Sequence, residues 1–336
     1  MIQQATGILS QHKDLSAIQM EAVMEEIMTG RVDTPSIVSF LTALNKQGET
    51  PEELAAAVKV MRHYATKVKA KQKVILDTCG TGGDKKHTFN ISTAVAFVAA
   101  GAGITVAKHG NRSVSSKSGS ADILEAAGIN INMSKERVEQ CLEDLGIAFL
   151  FAQRFHPAMK YAMPARKEMG TRTIFNFLGP LSNPAGATHQ LLGVYDGQWA
   201  HILAYALANL GIEHALVVHG KDRMDEITTM DTTLVWEVRR GNVQEYEMNY
   251  RDFGFAQARL GDLSGGTAVE NARILLDVLD GKSGSVRDIV VLNSAAAIYV
   301  AGRAASIKDG IKLAQESIDS KQALRKLELL RDYSNR

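Results

Sequence analysis

Residues 74–122 read VILDTCGTGGDKKHTFNISTAVAFVAAGAGITVAKHGNRSVSSKSGSAD, and the fold follows from them. The apolar run Val74 to Leu76, with Asp77, Thr78 and Cys79 behind it, predicts a strand that stops at Gly80-Thr81-Gly82-Gly83-Asp84. So many glycines are costly inside a strand or helix, so the backbone there forms a bare loop whose N–H groups can approach a ligand. Asn90-Ile91-Ser92-Thr93 then opens an Ala/Val-rich helix, whose first turn carries unpaired donors and the positive end of the helix dipole. That is an anion site in outline.

A second strand is predicted from Ile104 to Ala107, delivering Lys108-His109-Gly110-Asn111-Arg112 into a loop. Ser113, Val114, Ser115, Ser116, Ser118 and Ser120 follow, threaded with Lys117 and Gly119. Cations, hydroxyls and exposed N–H groups in one loop suit a polyphosphate, whose oxygens each accept several hydrogen bonds. Taken singly, each loop also fits an ordinary tight turn or a solvated linker. Two strand–loop–helix units in succession point instead to one ligand shared at the carboxyl edge of a parallel sheet.

Downstream, alternation continues. Helices are predicted from Ser120 to Ala127 and from a Ser134 cap to Leu145, then a strand from Ile147 to Phe151. Further strands at Leu191 to Tyr195 and Ala215 to His219 flank a helix from about Trp199 to Asn209. Leu234 to Val238 and Val243 to Met248 alternate like an antiparallel hairpin. Thr267 with Glu270, and Ser285 with Asp288, read as caps of two later helices, and two amphipathic helices finish the chain. Strands alternating with helices imply a mainly parallel sheet.

Upstream, the first seventy or so residues read as helices only. Ser16 caps one that stops at Gly30, Thr34-Pro35 starts another ended by Gly48, and Thr50-Pro51-Glu52-Glu53 opens a third. The face Ile37, Phe40, Leu41 and Leu44 is more apolar than a short bundle can bury, which leaves two readings: dimerisation, or packing on the larger domain. The segment PARKEMGTRTIFNFLGPLSNPAG, Pro164 to Gly186, holds three of the six prolines and reads as an excursion from the sheet. The expected domains are therefore 1–72, helical, and 73–163 with 189–336, α/β.

With 45% hydrophobic residues over 336 positions the chain can bury a large core. Its 38 basic and 37 acidic side chains give a formal charge of +1, which argues against nucleic acid or an anionic membrane as partner. Cys79 and Cys141 are too few for a disulfide framework, so a cytoplasmic location is expected. Thr88 to Ala107 is uncharged and long enough to span a bilayer, yet it divides naturally into a buried helix and a buried strand. Asp225-Glu226, after the strand ending at His219, is either a solvated acidic pair or a magnesium site, since Mg²⁺ takes few carboxylates and fills its shell with water and substrate phosphate.

GTGGD, TFNIST and KHGNRSVSSKSGSAD together resemble the phosphoribosyl diphosphate (PRPP) site of the anthranilate phosphoribosyltransferase family, and related signatures recur along most of the chain. The resemblance implies a nucleoside phosphorylase-like phosphoribosyltransferase fold in which the excursion at about 164–188 returns to the helical domain. It implies PRPP contacts at Gly80, Gly83, Asp84, Thr88, Asn90, Ile91, Ser92, Thr93, Lys108, His109, Gly110, Asn111, Arg112, Ser113, Val114, Ser115, Ser116 and Ser120. Gly80, Asn111 and Arg166 would meet anthranilate, with Ser92, Asp225 and Glu226 on Mg²⁺ and a homodimer formed through the helical domain. Two departures stand out: Lys85-Lys86 where the family often has Gly, and Arg223-Met224 where it has Gly-Leu. A pyrimidine nucleoside phosphorylase shares the architecture, and a related branch binds nucleic acid; KHGNR and PARKEMG with adjacent Asp-Glu fit anthranilate better.

Overall fold

The computed structural model describes residues 1–113 and 118–336. Four helices come first: α1 (Ile2–Ser10), α2 (Ala17–Met28), α3 (Thr34–Gln47) and α4 (Pro51–His63). Ser16 with Gln19, and Thr50 with Glu53, form capping boxes, while Asp33 rather than Thr34 caps α3. The α/β part then runs β1 (Leu76–Gly80), α5 (Ile91–Gly101), β2 (Val106–Gly110), α6 (Ser120–Ala126), α7 (Lys135–Asp144), β3 (Ile147–Phe151) and the short α8 (Ala152–Phe155). The excursion forms α9 (Met163–Met169) and α10 (Phe175–Leu181). After it come β4 (His189–Gly193), α11 (Gly197–Asn209), β5 (His214–Gly220), β6 (Thr232–Arg239), β7 (Asn242–Asn249), α12 (Ala268–Leu279), α13 (Ser285–Val300), α14 (Ile307–Asp319) and α15 (Gln322–Ser334).

The seven strands form one sheet in the order β3-β2-β1-β4-β5-β6-β7. The pairs from β3 to β5 are parallel, and β6 and β7 add an antiparallel hairpin. The uncharged run from Thr88 divides into α5 and β2 as its composition predicts. Side chains alternate across the sheet: Leu216 and Val218 of β5 join a core with α5 and α12–α15, whereas Ala215 and Val217 join a second core with α11 and the helical bundle.

Several strand boundaries differ from the sequence expectation in the same direction. Strand β1 carries Asp77 to Gly80, and β2 carries Lys108 and His109, both less than 5% exposed. Lys108 and His109 pair with Phe149 and Leu150 of β3, so they are not loop residues. Buried polar strand residues are tolerated because each finds a partner inside. Ser285 begins α13 without capping it; Gly284 stands at the cap position.

Ile37, Phe40, Leu41 and Leu44 are fully buried within one chain, where α3 packs on α1 and α9. The face is covered within the chain, but by α1 and by α9 of the excursion rather than by the larger α/β part, and it is not available to a second copy. Helices α9 and α10 lie against α3 and α4, bringing Ala165, Phe177 and Leu178 into the bundle's core. Three chain passes between bundle and sheet run side by side, because the Thr66 amide donates to the Phe155 carbonyl at 2.8 Å and the Val68 amide to the Pro184 carbonyl at 3.0 Å.

Candidate active site

Strands β2 and β4 flank β1, so the chain leaves the sheet in opposite directions at the carboxyl ends of β1 and β4, where open α/β sheets hold their ligands. Gly80 and Gly193 face each other there. A Cβ at position 193 would stand 1.7 Å from the Asp225 carbonyl oxygen, and one at 80 would stand 3.3 Å from its carboxylate. Glycine at both positions therefore lets the Asp225-Glu226 loop lie directly on the sheet edge. The Thr81 amide donates to the Gly193 carbonyl at 2.9 Å, and the Tyr195 amide reaches Thr81 Oγ1 at 3.4 Å. Beyond them Gly82, Gly83, Lys85 and His87 all have positive φ. Lys85, at φ +59°, fills a left-handed position that disfavours any L side chain by about 1–2 kcal/mol, which is why glycine suits that place.

Asp225 and Asp84 crowd together, and Asp84 Oδ2 is buried with no hydrogen-bond donor among the described residues. Burial and then the Asp84 charge raise Asp225 to about 8. Burial and then Asp225 push Glu226 well above the ordinary carboxylate range, against the pull of Lys108. Among the described residues no three His, Cys, Asp or Glu side chains form a metal cage of their own. An unpartnered buried oxygen beside two suppressed carboxylates nonetheless suits a cation that completes its shell from substrate and water.

The helix terminus departs from expectation. The Ile91 amide donates to Phe89, the Thr93 amide to the Asn90 carbonyl, and the Ser92 amide to Glu226 Oε1 at 3.2 Å. Glu226 thus takes the anion seat at the positive end of α5. Ile91 turns its side chain into the core, and Thr93 is buried with Oγ1 unpartnered. Lys108 Nζ bonds the Thr78 carbonyl and lies 3.3 Å from Ser92 Oγ, and Thr78 Oγ1 holds the Ser92 carbonyl at 3.0 Å. The buried Lys108 nitrogen therefore stands under the start of α5, where burial lowers its pKa against the pull of Asp77. Thr88 bridges to Ser264, and Asn90 is fixed by Asn271, whose amide donates to Asn90 Oδ1 at 3.0 Å and to Ser118 Oγ at 2.8 Å.

In the second loop Val114, Ser115, Ser116 and Lys117 lie outside the described residues. Gly110 abuts Ser120, whose Oγ lies 3.4 Å from the Asn111 carbonyl. Asn111 Oδ1 accepts from the Arg112 amide at 2.8 Å and from Gln153 at 3.3 Å. Arg112 is not a free cation: Asp122 at 2.8 Å and Glu125 at 2.6 Å engage it, and Asp122 also receives the Ser113 amide. Any anion recruiting Arg112 has to compete with these two carboxylates.

Helix α10 caps the other side. Its Gly179 carbonyl accepts from His109 Nδ1 at 3.0 Å, which leaves Nε2 as a buried acceptor without a partner among the described residues. Burial, with His156 next, lowers His109 to about 3, so the ring is neutral at physiological pH. Arg62 of α4 fixes the end of α10 by donating twice to the Leu181 carbonyl, at 2.9 and 2.7 Å. Arg166 of α9 lies 5.8 Å from the Phe175 ring centroid and 3.8 Å from Met163 Sδ, half-buried, and forms no ion pair with a carboxylate among the described residues. Among the described residues no hydrogen bond or ion pair joins it to the GTGGD loop or the second loop, and α10 stands next to it and to His109.

A profile described as "Glycosyl transferase family, a/b domain" matches residues 72–324, and one for "Glycosyl transferase family, helical bundle domain" matches residues 3–65. Over 98% of its length the chain is 52% identical to the anthranilate phosphoribosyltransferase of Anaeromyxobacter dehalogenans, covering 98% of that protein. The chain belongs to the anthranilate phosphoribosyltransferase family. Its fold superposes on the family's crystal structure from Thermus thermophilus with a TM-score of 0.94 at 40% identity, over 99% of both chains. With the Saccharomyces cerevisiae enzyme in complex with PRPP and Mg the TM-score is 0.92 at 30% identity, over 99% of this chain and 98% of that one. Another structure of the yeast enzyme is a complex with 4-fluoroanthranilate.

Sequence reasoning missed residues whose partners are remote. Asp77 is wholly buried, receiving the His109 amide at 3.1 Å and Asn183 Nδ2 at 2.7 Å. Asn293 holds both the amide and the carbonyl of Ile227, fixing the loop behind Glu226. Gly193, Asn271 and Arg172 are equally silent in the sequence; a polar residue directly before a proline, as at Asn183-Pro184, is the faint available signal.

These carboxylates have a consequence for stability. Burial raises Asp77 to about 6 and Asp225 to about 8, so the folded chain keeps protons that the unfolded chain releases. Their contribution is full below the ordinary carboxylate pKa of about 4 and is lost as pH rises toward about 8. Without divalent cation the melting temperature is expected to fall on the order of 5 °C between about pH 5.5 and pH 8, and millimolar Mg²⁺ to remove most of the decline. A melting temperature that climbs across that window contradicts the assignment.

Proposed function

We propose that the chain transfers the phosphoribosyl group of PRPP to the amine of anthranilate, releasing diphosphate and N-(5-phosphoribosyl)anthranilate for tryptophan biosynthesis. The observation that carries this reading is the convergence of the GTGGD loop, the start of α5 and the Asp225-Glu226 loop on the Gly80–Gly193 edge. The nitrogen lone pair forms the bond to the anomeric carbon as the carbon–oxygen bond breaks, and the electron pair leaves on diphosphate. The surplus proton on nitrogen is lost afterwards to diphosphate or water. An aromatic amine is neutral near pH 7, so no strong base is required, and catalysis rests on alignment and on stabilising the leaving group.

In this reading Gly80, Gly83, Asp84, Thr88, Asn90 to Thr93, Lys108 to Ser116 and Ser120 receive PRPP, with Lys108 the buried counter-charge. Arg166 takes anthranilate's carboxylate, and Gly80 and Asn111 line the aromatic side. Ser92, Asp225 and Glu226 hold Mg²⁺, which supplies charge neutralisation for the departing diphosphate when bound. The domains follow the division at residues 72, 164 and 188, and the location is cytoplasmic; both cysteines are free and buried. Among the described residues no helix is long and apolar enough to cross a membrane. Dimerisation through the helical part is favoured by the exposed Ile18 and Tyr161, on segments that pack together, and by the exposed Met163 of α9 beside them.

The deciding experiment follows anthranilate fluorescence. It is expected to decay only with PRPP and Mg²⁺ both present; persistence of the signal with both, together with tight DNA binding, would reverse the reading.

A further inference from the structure

We propose that Arg172 is a positioning residue for the diphosphate loop, a role that rests on the reading just given. Arg172 lies between α9 and α10, on the excursion that packs against the helical bundle. Its own carbonyl is held by Asn45 of α3 at 2.7 Å. Its guanidinium lies over the Tyr195 ring at 3.5 Å from the centroid and donates through Nη2 to the Gly83 carbonyl at 2.8 Å. A Cβ at position 83 would stand 1.9 Å from the same nitrogen, so only glycine admits this contact. One residue therefore joins all three: its main chain is held by α3, and its side chain links the β4 exit to the GTGGD loop.

The contact fixes a peptide plane. Because the C=O and N–H of a trans peptide point in opposite directions, holding the Gly83 carbonyl toward Arg172 turns the Asp84 N–H away from it. That amide has no acceptor among the described residues. It belongs to the aspartate whose Oδ2 is also buried and unpartnered, and next to Asp225. Gly82 and Gly83, both at positive φ, have little intrinsic preference to hold this orientation. The guanidinium supplies it from outside, seated over the Tyr195 ring so that few rotamers remain to be lost. The groups acting on it electrostatically are Asp225 and Asp196. Neither lies within salt-bridge distance, which leaves the Gly83 carbonyl as its hydrogen-bond acceptor.

The test combines calorimetric titration of PRPP in MgCl₂ with steady-state kinetics on the full chain. Arg172→Ala is expected to weaken PRPP binding, and raise its KM, about tenfold. The anthranilate KM and kcat should stay within about twofold and the melting temperature should hold. Arg172→Lys keeps one donor but not the guanidinium over the ring and should recover part of the loss. Tyr195→Phe keeps the ring and should be silent, whereas Tyr195→Leu should resemble Arg172→Ala. Unchanged PRPP affinity in Arg172→Ala overturns the proposal, as does an equal rise in both KM values with a lowered melting temperature. A wild-type chain that gives no PRPP isotherm overturns the functional reading as well, so the two failures are distinct.

Discussion

Replacing Asp225 and Glu226 together by alanine is expected to cut kcat/KM about a thousandfold, to abolish the response of rate to Mg²⁺, and yet to raise the melting temperature above pH 7. The opposite signs share a cause. The two carboxylates lie against Asp84 and under partial burial, so burial and mutual repulsion raise both out of the ordinary range. Such crowding costs stability in the cation-free chain and, on the reading proposed above, is relieved when a divalent ion and a diphosphate share the charge. Deleting the pair also frees the Ser92 amide, which the α5 terminus can then offer to water. Rates and thermal melts with and without MgCl₂ check both halves. A variant that loses activity and also melts several degrees lower would mean that the carboxylates hold the fold together.

The second large effect is expected at Arg166, where alanine should raise the anthranilate KM about 30-fold and leave the PRPP KM nearly unchanged. A bidentate guanidinium–carboxylate pair contributes roughly 1.5–3 kcal/mol, which is about 10- to 150-fold in affinity. Arg166 is suited to that task because burial already withdraws it from water and, among the described residues, it forms no ion pair with a carboxylate. Arg166→Lys should recover little, since an ammonium cannot present the planar fork. Initial rates over a matrix of both substrates separate the two constants, and an unchanged anthranilate KM in Arg166→Ala would remove the assignment.

The parts of this architecture legible from sequence are those written in local chemistry. Gly80 to Asp84, the boxes at Ser16, Thr50 and Thr267, and the alternation around Arg240-Gly241 each announce a turn or a cap within a few residues. Lys108 misleads for a different reason. A lysine reads as a loop residue until a carbonyl from another strand, here Thr78, makes its burial tolerable. The same holds for Asp77, whose partner Asn183 is 106 positions away. Arg112 reads as a ligand-binding cation and proves to be engaged by Asp122 and Glu125, a pairing that depends on how α6 turns back. The face at Ile37 shows the limit of amphipathic patterning: it reports that a surface is covered but not whether α9 or another molecule covers it.

The side-by-side passes at Thr66, Phe155 and Pro184 bear on how the gene can be divided. A fragment ending at codon 72 would carry four helices yet lack Ala165, Phe177 and Leu178, leaving a greasy scar where α9 and α10 belong. The complementary fragment would display those same two helices with nothing to dock on. Joining the first 66 residues to the stretch from Met163 to Asn183 would restore those contacts but still leave bare the side of α4 on which α11 packs, so the bundle's core is neither contiguous in the open reading frame nor complete without a helix of the α/β part.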